Sequence, residues 1–306
     1  MPLTKKLNRI NFGLASKTWN TIFRWRLNDF FLCVVLLIIY GALYFAPPFE
    51  REFYVNDLSI SHTYATSELV STTELGIYAI MVPVIIIVIL GLSLSNEKRY
   101  YVTWISFMGL LLSVSVTSFL TGILKNWIGR PRPDFISRCQ PMDDTDEDTY
   151  VLPSKVCQQT DLALLRDGMR SCPSGHSSTA FSGLGYLTFW ILGQTLAYHK
   201  KTGSWRTCFA FIPSLIAGLI AISRTEDYRH RYSDVALGSL LGAIIAYWSY
   251  KRNFPNFNTN LCYVPCQLIE ENNLENAVVV DFDDNSGHDN YQRAFQSDEE
   301  NRLYTN

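Results

Sequence analysis

The stretch YVTWISFMGLLLSVSVTSFLTGIL, residues 101–124, runs for 24 residues without an Asp, Glu, Lys or Arg and stops at Lys125. Roughly 20 such residues form a helix that crosses the hydrocarbon core of a bilayer. Five further charge-free runs share the chain: Phe30–Phe49, Leu75–Ser95, Ser177–Tyr198, Thr207–Ser223 and Val235–Tyr250. The first three hold 20, 21 and 22 residues, while the last two hold 17 and 16 and need flanking residues to complete a span. A buried helix of a soluble protein can match one such run. Six of them in 306 residues leave too little polar surface for a soluble domain. The expected fold is all-α: a polytopic membrane protein whose six transmembrane helices form a bundle over residues 27–252.

Charge sets the expected orientation. Lys5, Lys6, Arg9, Lys17, Arg24 and Arg26 precede the first run with only Asp29 against them, which keeps that end in the cytoplasm. Six crossings then place both termini inside and expose the loops 50–74, 125–176 and 224–234 on the other face. The inner loops come out short and basic, with Lys98 and Arg99 in one and Lys200, Lys201 and Arg206 in the next. Residues 1–26 read either as an interfacial helix on the inner leaflet or as a basic lead-in, and not as a cleavable signal. Residues 253–306 carry ten acidic residues against two arginines, and read as a mostly disordered cytoplasmic tail. Of the seven cysteines, Cys139, Cys157 and Cys172 fall in the outer segment, where one pair can oxidise but the pairing is open. Cys262 and Cys266 follow the last run as unmodified thiols or palmitoylation sites.

Ionisable residues at span ends are costly unless paired or solvated, and three groups of them fall on the same outer face. Lys125 and Arg132 end the third run in KNWIGRPRP; snorkelling explains either alone, but cations are under-represented on the outer side. Ser174, Gly175 and His176 open the fourth run in CPSGHSS, where helix N-terminal amides favour an oxyanion beside the imidazole. Arg224, His230 and Asp234 lie in SRTEDYRHRYSD between the last two runs. Arg224 can grip two phosphoryl oxygens, and Asp234, four residues from His230, can orient its ring if both share a helical turn. Arg229 and Arg231 read as surface or headgroup contacts. Gly238 and Gly242 permit close helix packing, within one chain or between subunits of a homo-oligomer.

In order and spacing these clusters resemble the three-part signature of the type 2 phosphatidic acid phosphatase superfamily, the lipid phosphate phosphatases. The pattern K-x6-R-P, P-S-G-H, S-R-x5-H-x3-D is met without substitution by Lys125 with Arg132–Pro133, by Pro173–His176, and by Ser223–Arg224 with His230 and Asp234. The text around the motifs, such as NWIGRPRPDF at 126–135, is similar to the fungal diacylglycerol pyrophosphate phosphatase branch. The resemblance implies a Mg²⁺-independent enzyme that removes phosphate from diacylglycerol pyrophosphate, phosphatidate and lysophosphatidate through a phosphohistidine. It implies His230 as nucleophile, Asp234 as its orienting partner and His176 as acid. Lys125, Arg132, Ser174, Gly175 and Arg224 would then hold the phosphoryl oxygens. Expected partners are a phospholipid substrate from the outer leaflet and the bilayer itself, with no nucleic acid, metal or cofactor. The likeness points to the vacuolar membrane, with endoplasmic reticulum and plasma membrane as alternatives. Within the same superfamily, sphingoid-base phosphates, isoprenyl diphosphates or head-group transfer use the same site. An inactive six-span scaffold or transporter is the non-enzyme reading.

Overall fold

The computed structural model describes residues 22, 24–94, 98–145, 149–257 and 259–269. The chain divides into two compact units, residues 1–265 and 266–306, and of the second only a helical turn at 266–269 is described. The basic lead-in up to residue 21, the acidic positions 146–148 and the acidic tail from residue 270 lie outside the described residues.

Each charge-free run coincides with a long helix: α1 Leu27–Phe45, α2 Thr72–Ser93, α3 Arg99–Ile128, α4 Gly175–Gln194, α5 Trp205–Glu226 and α6 Tyr232–Asn253. Among the described residues, α1, α2, α3 and α5 are long and apolar enough to cross a membrane. The other two are comparably long, at 20 and 22 residues. Their facing seams are rich in Ser, Thr, Gly and Ala; α4 is mostly buried between other helices, whereas α6 also turns Leu237, Leu240 and Ile244 outward. Around them the protein displays Phe31, Ile38, Ile89, Leu219 and Leu240 outward. Such an apolar exterior on several long helices marks an integral, multi-pass membrane protein.

Packing explains the sequence of the central pair. On α6 the buried residues Gly238, Gly242, Ala246, Ser249 and Asn253 form one stripe at helical spacing. A β-carbon at Gly238 would stand 2.5 Å from the Ser174 carbonyl oxygen, and one at Gly242 2.3 Å from that of Ser178. These glycines therefore let α6 lie backbone-close on α4 within one chain. A β-carbon at Gly183 of α4 would meet the Ala79 carbonyl at 1.8 Å, beside the π-helical turn Ile77–Met81 of α2.

The outer segment after α3 is folded. Short helices at Phe135–Cys139, Pro153–Val156 and Leu162–Gly168 enclose a small core with Phe53 and Ile60 from the α1–α2 loop. A disulfide joins Cys139 to Cys157 and settles the open pairing, leaving Cys172 a buried free thiol. The first residues after α6 pack back onto the bundle. Tyr250 stacks on Phe254 and Phe257 at 5.4 and 4.9 Å, and the Tyr250 hydroxyl donates to the Cys262 carbonyl at 3.2 Å. Cys262 is itself buried with its thiol on the Gly193 carbonyl, which fits an unmodified residue.

Candidate active site

At 30 residues α3 is about 45 Å long, so its last turn outruns a hydrocarbon core of roughly 30 Å. That turn carries Lys125, and the left-handed Gly129 ends the helix by donating its N–H to the Lys125 carbonyl. A β-carbon at Gly129 would fall 2.0 Å from the Phe49 carbonyl oxygen, so a bare backbone is required there. Lys125 Nζ donates to the Arg170 carbonyl at 2.8 Å, and its stem lies against Gly175.

The chain then turns so that the Arg132 N–H donates to the Gly168 carbonyl, while Arg132 Nη2 donates to Asp167 at 2.7 Å. Asp167 also accepts from Arg138 at 2.8 Å, and Arg138 forks onto Asp134 with bonds of 3.0 and 2.9 Å. Arg132 Nε is buried without a hydrogen-bond partner among the described residues. An orphaned buried donor is rare enough to mark a place for an acceptor.

Ser174 is the N-cap of α4, with its hydroxyl facing the Ser177 N–H, and Gly175 and His176 form the first turn. His176 lies in the electrostatic field of Arg224, Lys125 and Arg132, and its Nε2 sits 3.1 Å from the Val70 carbonyl. Arg224 is 1% exposed in the last turn of α5 and is gripped by Glu68 at 2.8 Å and Asp227 at 2.6 Å. Its carbonyl accepts the N–H groups of both Arg229 and His230, which places the His230 loop directly above it. His230 is buried, and burial, followed by the Arg132 and Lys125 cations and His176, pushes its imidazole well below the ordinary histidine value. The structure thus gathers Lys125, Arg132, Gly175, His176, Arg224 and His230 at one end of the bundle, with Ser174 as the cap beneath.

Two sequence expectations need correcting. Asp234 makes no hydrogen bond to His230: His230 Nδ1 is buried without a partner. Asp234, fully buried, accepts instead from Arg130 at 2.8 Å, from the Ser171 hydroxyl at 2.6 Å and from the Arg231 N–H at 3.2 Å. The helix begins only at Tyr232, so His230 and Asp234 never share the helical turn that their spacing suggested. The carboxylate therefore reaches the histidine through Ser171, whose carbonyl interacts with the ring. Arg229 is not a surface residue either. It is 4% exposed and pairs with Glu68 at 3.2 Å and, more distantly, with Asp134.

Glu68, Asp134, Arg138, Asp167, Ser171 and Asp227 were not singled out from sequence. Asp227, three residues after Arg224 on one helical face, carried a readable signal. Asp134 and Arg138, four apart around one short helix, carried the same kind of signal, whereas Glu68, Asp167 and Ser171 come from separate loops and carried none.

Comparison with known proteins bears on this arrangement. The family model described as "PAP2 superfamily" matches residues 106–257. The chain is 44% identical over 273 residues to "Diacylglycerol pyrophosphate phosphatase 1" of Saccharomyces cerevisiae, covering 89% of this chain and 94% of that protein. It is 39% identical to "Probable diacylglycerol pyrophosphate phosphatase 1" of Schizosaccharomyces pombe, over 73% of this chain and 80% of that one. With "Lipid phosphate phosphatase 1" of Arabidopsis thaliana it shares 33% identity over 75% and 68% of the two chains. No solved structure matches significantly.

Proposed function

The chain belongs to the PAP2 superfamily, and from that membership we propose a Mg²⁺-independent lipid phosphate phosphatase acting on diacylglycerol pyrophosphate, phosphatidate and lysophosphatidate. The observation that carries this reading is the convergence of three cations and two histidines at one end of the bundle, where Arg132 Nε and His230 Nδ1 are buried without hydrogen-bond partners among the described residues. Its support in substrate class is the likeness to the two yeast relatives named for diacylglycerol pyrophosphate.

In the proposed reaction the neutral His230 imidazole attacks phosphorus as the bond to the leaving oxygen breaks. Lys125, Arg132 and Arg224, with the Ser174 hydroxyl and the Gly175 N–H, neutralise the equatorial oxygens, a task metals perform in many phosphoryl transfers. His176, protonated once the phosphate anion beside it offsets the surrounding cations, gives that proton to the leaving oxygen. It then takes one from water as that water attacks the phosphohistidine, releasing phosphate and restoring His230. Asp234 acts as a positioning residue through Ser171 and Arg130. In the proposed topology all six long helices cross the bilayer, both termini are cytoplasmic and the site opens on the far face, in the vacuolar membrane.

The test is hydrolysis of a panel of lipid phosphates in EDTA by wild type and His230→Ala, with trapping of the phosphoenzyme by an alkaline detergent quench, which preserves a phosphorus–nitrogen bond. Wild type is expected to turn over the panel without Mg²⁺ and to label on histidine. A phosphoenzyme that still forms in His230→Ala removes the assigned nucleophile. Preference for sphingoid-base phosphate or isoprenyl diphosphate redirects the substrate and keeps the chemistry.

A further inference from the structure

Glu68 joins two arginines with its two oxygens. Oε2 accepts from Arg224 at 2.8 Å and Oε1 lies 3.2 Å from Arg229, while Oε2 stands 3.8 Å from His176 Nε2. The carboxylate is a quarter exposed, whereas both arginines are buried. It therefore occupies an anion position on the side of the site where the acid His176 meets the leaving oxygen. Arg224 is already assigned to the transferred phosphoryl group. Arg229 has no role in that assignment, although it is as deeply placed and more elaborately held.

Arg229 is held by the Ala65 carbonyl at 2.8 Å, by the Tyr64 ring with its guanidinium carbon 4.5 Å from the centroid, and by Glu68. These contacts leave its Nε buried with no partner among the described residues. A desolvated guanidinium with an unused donor, sharing one carboxylate with a phosphoryl-binding arginine, is half of a bidentate oxyanion site.

We propose that Arg229, with Arg224 beside it, forms a second phosphate subsite that binds the phosphate remaining on the lipid when the substrate is a diphosphate, and that Glu68 occupies this subsite until such a substrate displaces it. This rests on the reading of the site as a lipid phosphatase and adds its selectivity. In a lipid diphosphate the bond that breaks lies between the transferred phosphorus and the bridging oxygen. Charge then develops on the departing lipid phosphate, and Arg229 stabilises it as it leaves. A monophosphate leaves an uncharged diacylglycerol hydroxyl there, so Arg229 contributes little to that reaction.

The experiment compares kcat/KM for diacylglycerol pyrophosphate and phosphatidate of matched acyl chains in mixed micelles, for wild type, Arg229→Gln and Glu68→Gln. Arg229→Gln is expected to lower the diphosphate value about tenfold more than the monophosphate value, the effect of losing one charge-assisted bond. Inorganic pyrophosphate should inhibit Arg229→Gln more weakly than wild type by a similar factor. Glu68→Gln removes the competing charge while leaving both arginines, so it should lower KM for the diphosphate more than for the monophosphate. Equal losses on both lipids in Arg229→Gln, with an unchanged ratio in Glu68→Gln, overturn the subsite. Should Arg229→Gln fail to fold, Glu68→Gln and pyrophosphate inhibition decide the question alone. Failure of the underlying phosphatase reading looks different: wild type hydrolyses neither lipid.

Discussion

The Ser171 hydroxyl donates to Asp234 Oδ2 at 2.6 Å across 63 residues of sequence, tying the loop before α4 to the first turn of α6. Through this bond the buried carboxylate reaches His230 by way of the Ser171 backbone. Ser171→Ala should cost about 1–3 kcal/mol of stability, because a buried carboxylate loses a donor. It should lower kcat about tenfold with little change in KM. Asp234→Asn should lower kcat further, because it also frees Arg130. Steady-state kinetics with thermal unfolding in detergent checks both, and a KM effect without a kcat effect in Ser171→Ala would remove the positioning role.

The depressed His230 imidazole has a signed consequence for stability. Below the ordinary histidine value of about 6.5, the unfolded chain takes up a proton that the folded protein refuses. Stability should therefore fall as pH drops from about 6.5 to 5, with this residue contributing up to about 1.4 kcal/mol per pH unit. His230→Gln should show a shallower slope over the same window. The measurement is the unfolding midpoint against pH for both proteins. The acid limb of kcat/KM that belongs to the nucleophile should likewise lie below the usual histidine range.

The disulfide gives a counted outcome. Of seven cysteines, alkylation of the denatured, unreduced protein should modify five, and reduction should expose Cys139 and Cys157 as the remaining pair. Replacing both by Ser opens a bridge between positions 18 apart and should destabilise the outer segment by about 3 kcal/mol. Peptide mapping of the alkylated protein identifies the pair.

Helix contact at glycine can be tested by adding one carbon. Gly242→Ala forces a methyl against the Ser178 carbonyl and should destabilise the protein by about 1–3 kcal/mol. Gly238→Ala pushes on Ser174 and should lose activity as well, because that residue caps the helix carrying His176. Gly218→Ala on α5 meets nothing within 4 Å and should be neutral or slightly stabilising.

The helices were legible because a run without charges is a local property that survives any tertiary arrangement. The motif residues were legible because their spacing is local too. Glu68 and Asp167 were not, since each is an ordinary outer-loop acid until folding sets it against Arg224 or Arg132. Arg229 was misread for a related reason. Beside Arg231 it looked like a headgroup contact, and only the return of residues 64–68 over the site buries it. The expected Asp234–His230 pair failed because the spacing rule assumes a helix that starts two residues too late.

The two sides of the site are fastened by different means. On one side the Ser174 N–H bonds to the Asp234 carbonyl at 3.0 Å over glycine-close helices, main chain on main chain. On the other, the described hydrogen bonds that hold residues 64–70 to the arginine and histidine motifs each use a side chain: Arg229 on Ala65, Asp227 on Leu69, His176 on Val70 and Arg224 on Glu68. Of these four contacts only Arg224 on Glu68 joins opposite charges, and burial of the arginine shields that pair from salt. Residues 64–70 are thus seated by contacts that single side-chain changes can delete one at a time, whereas the seam of α4 and α6 rests on backbone that no such change removes.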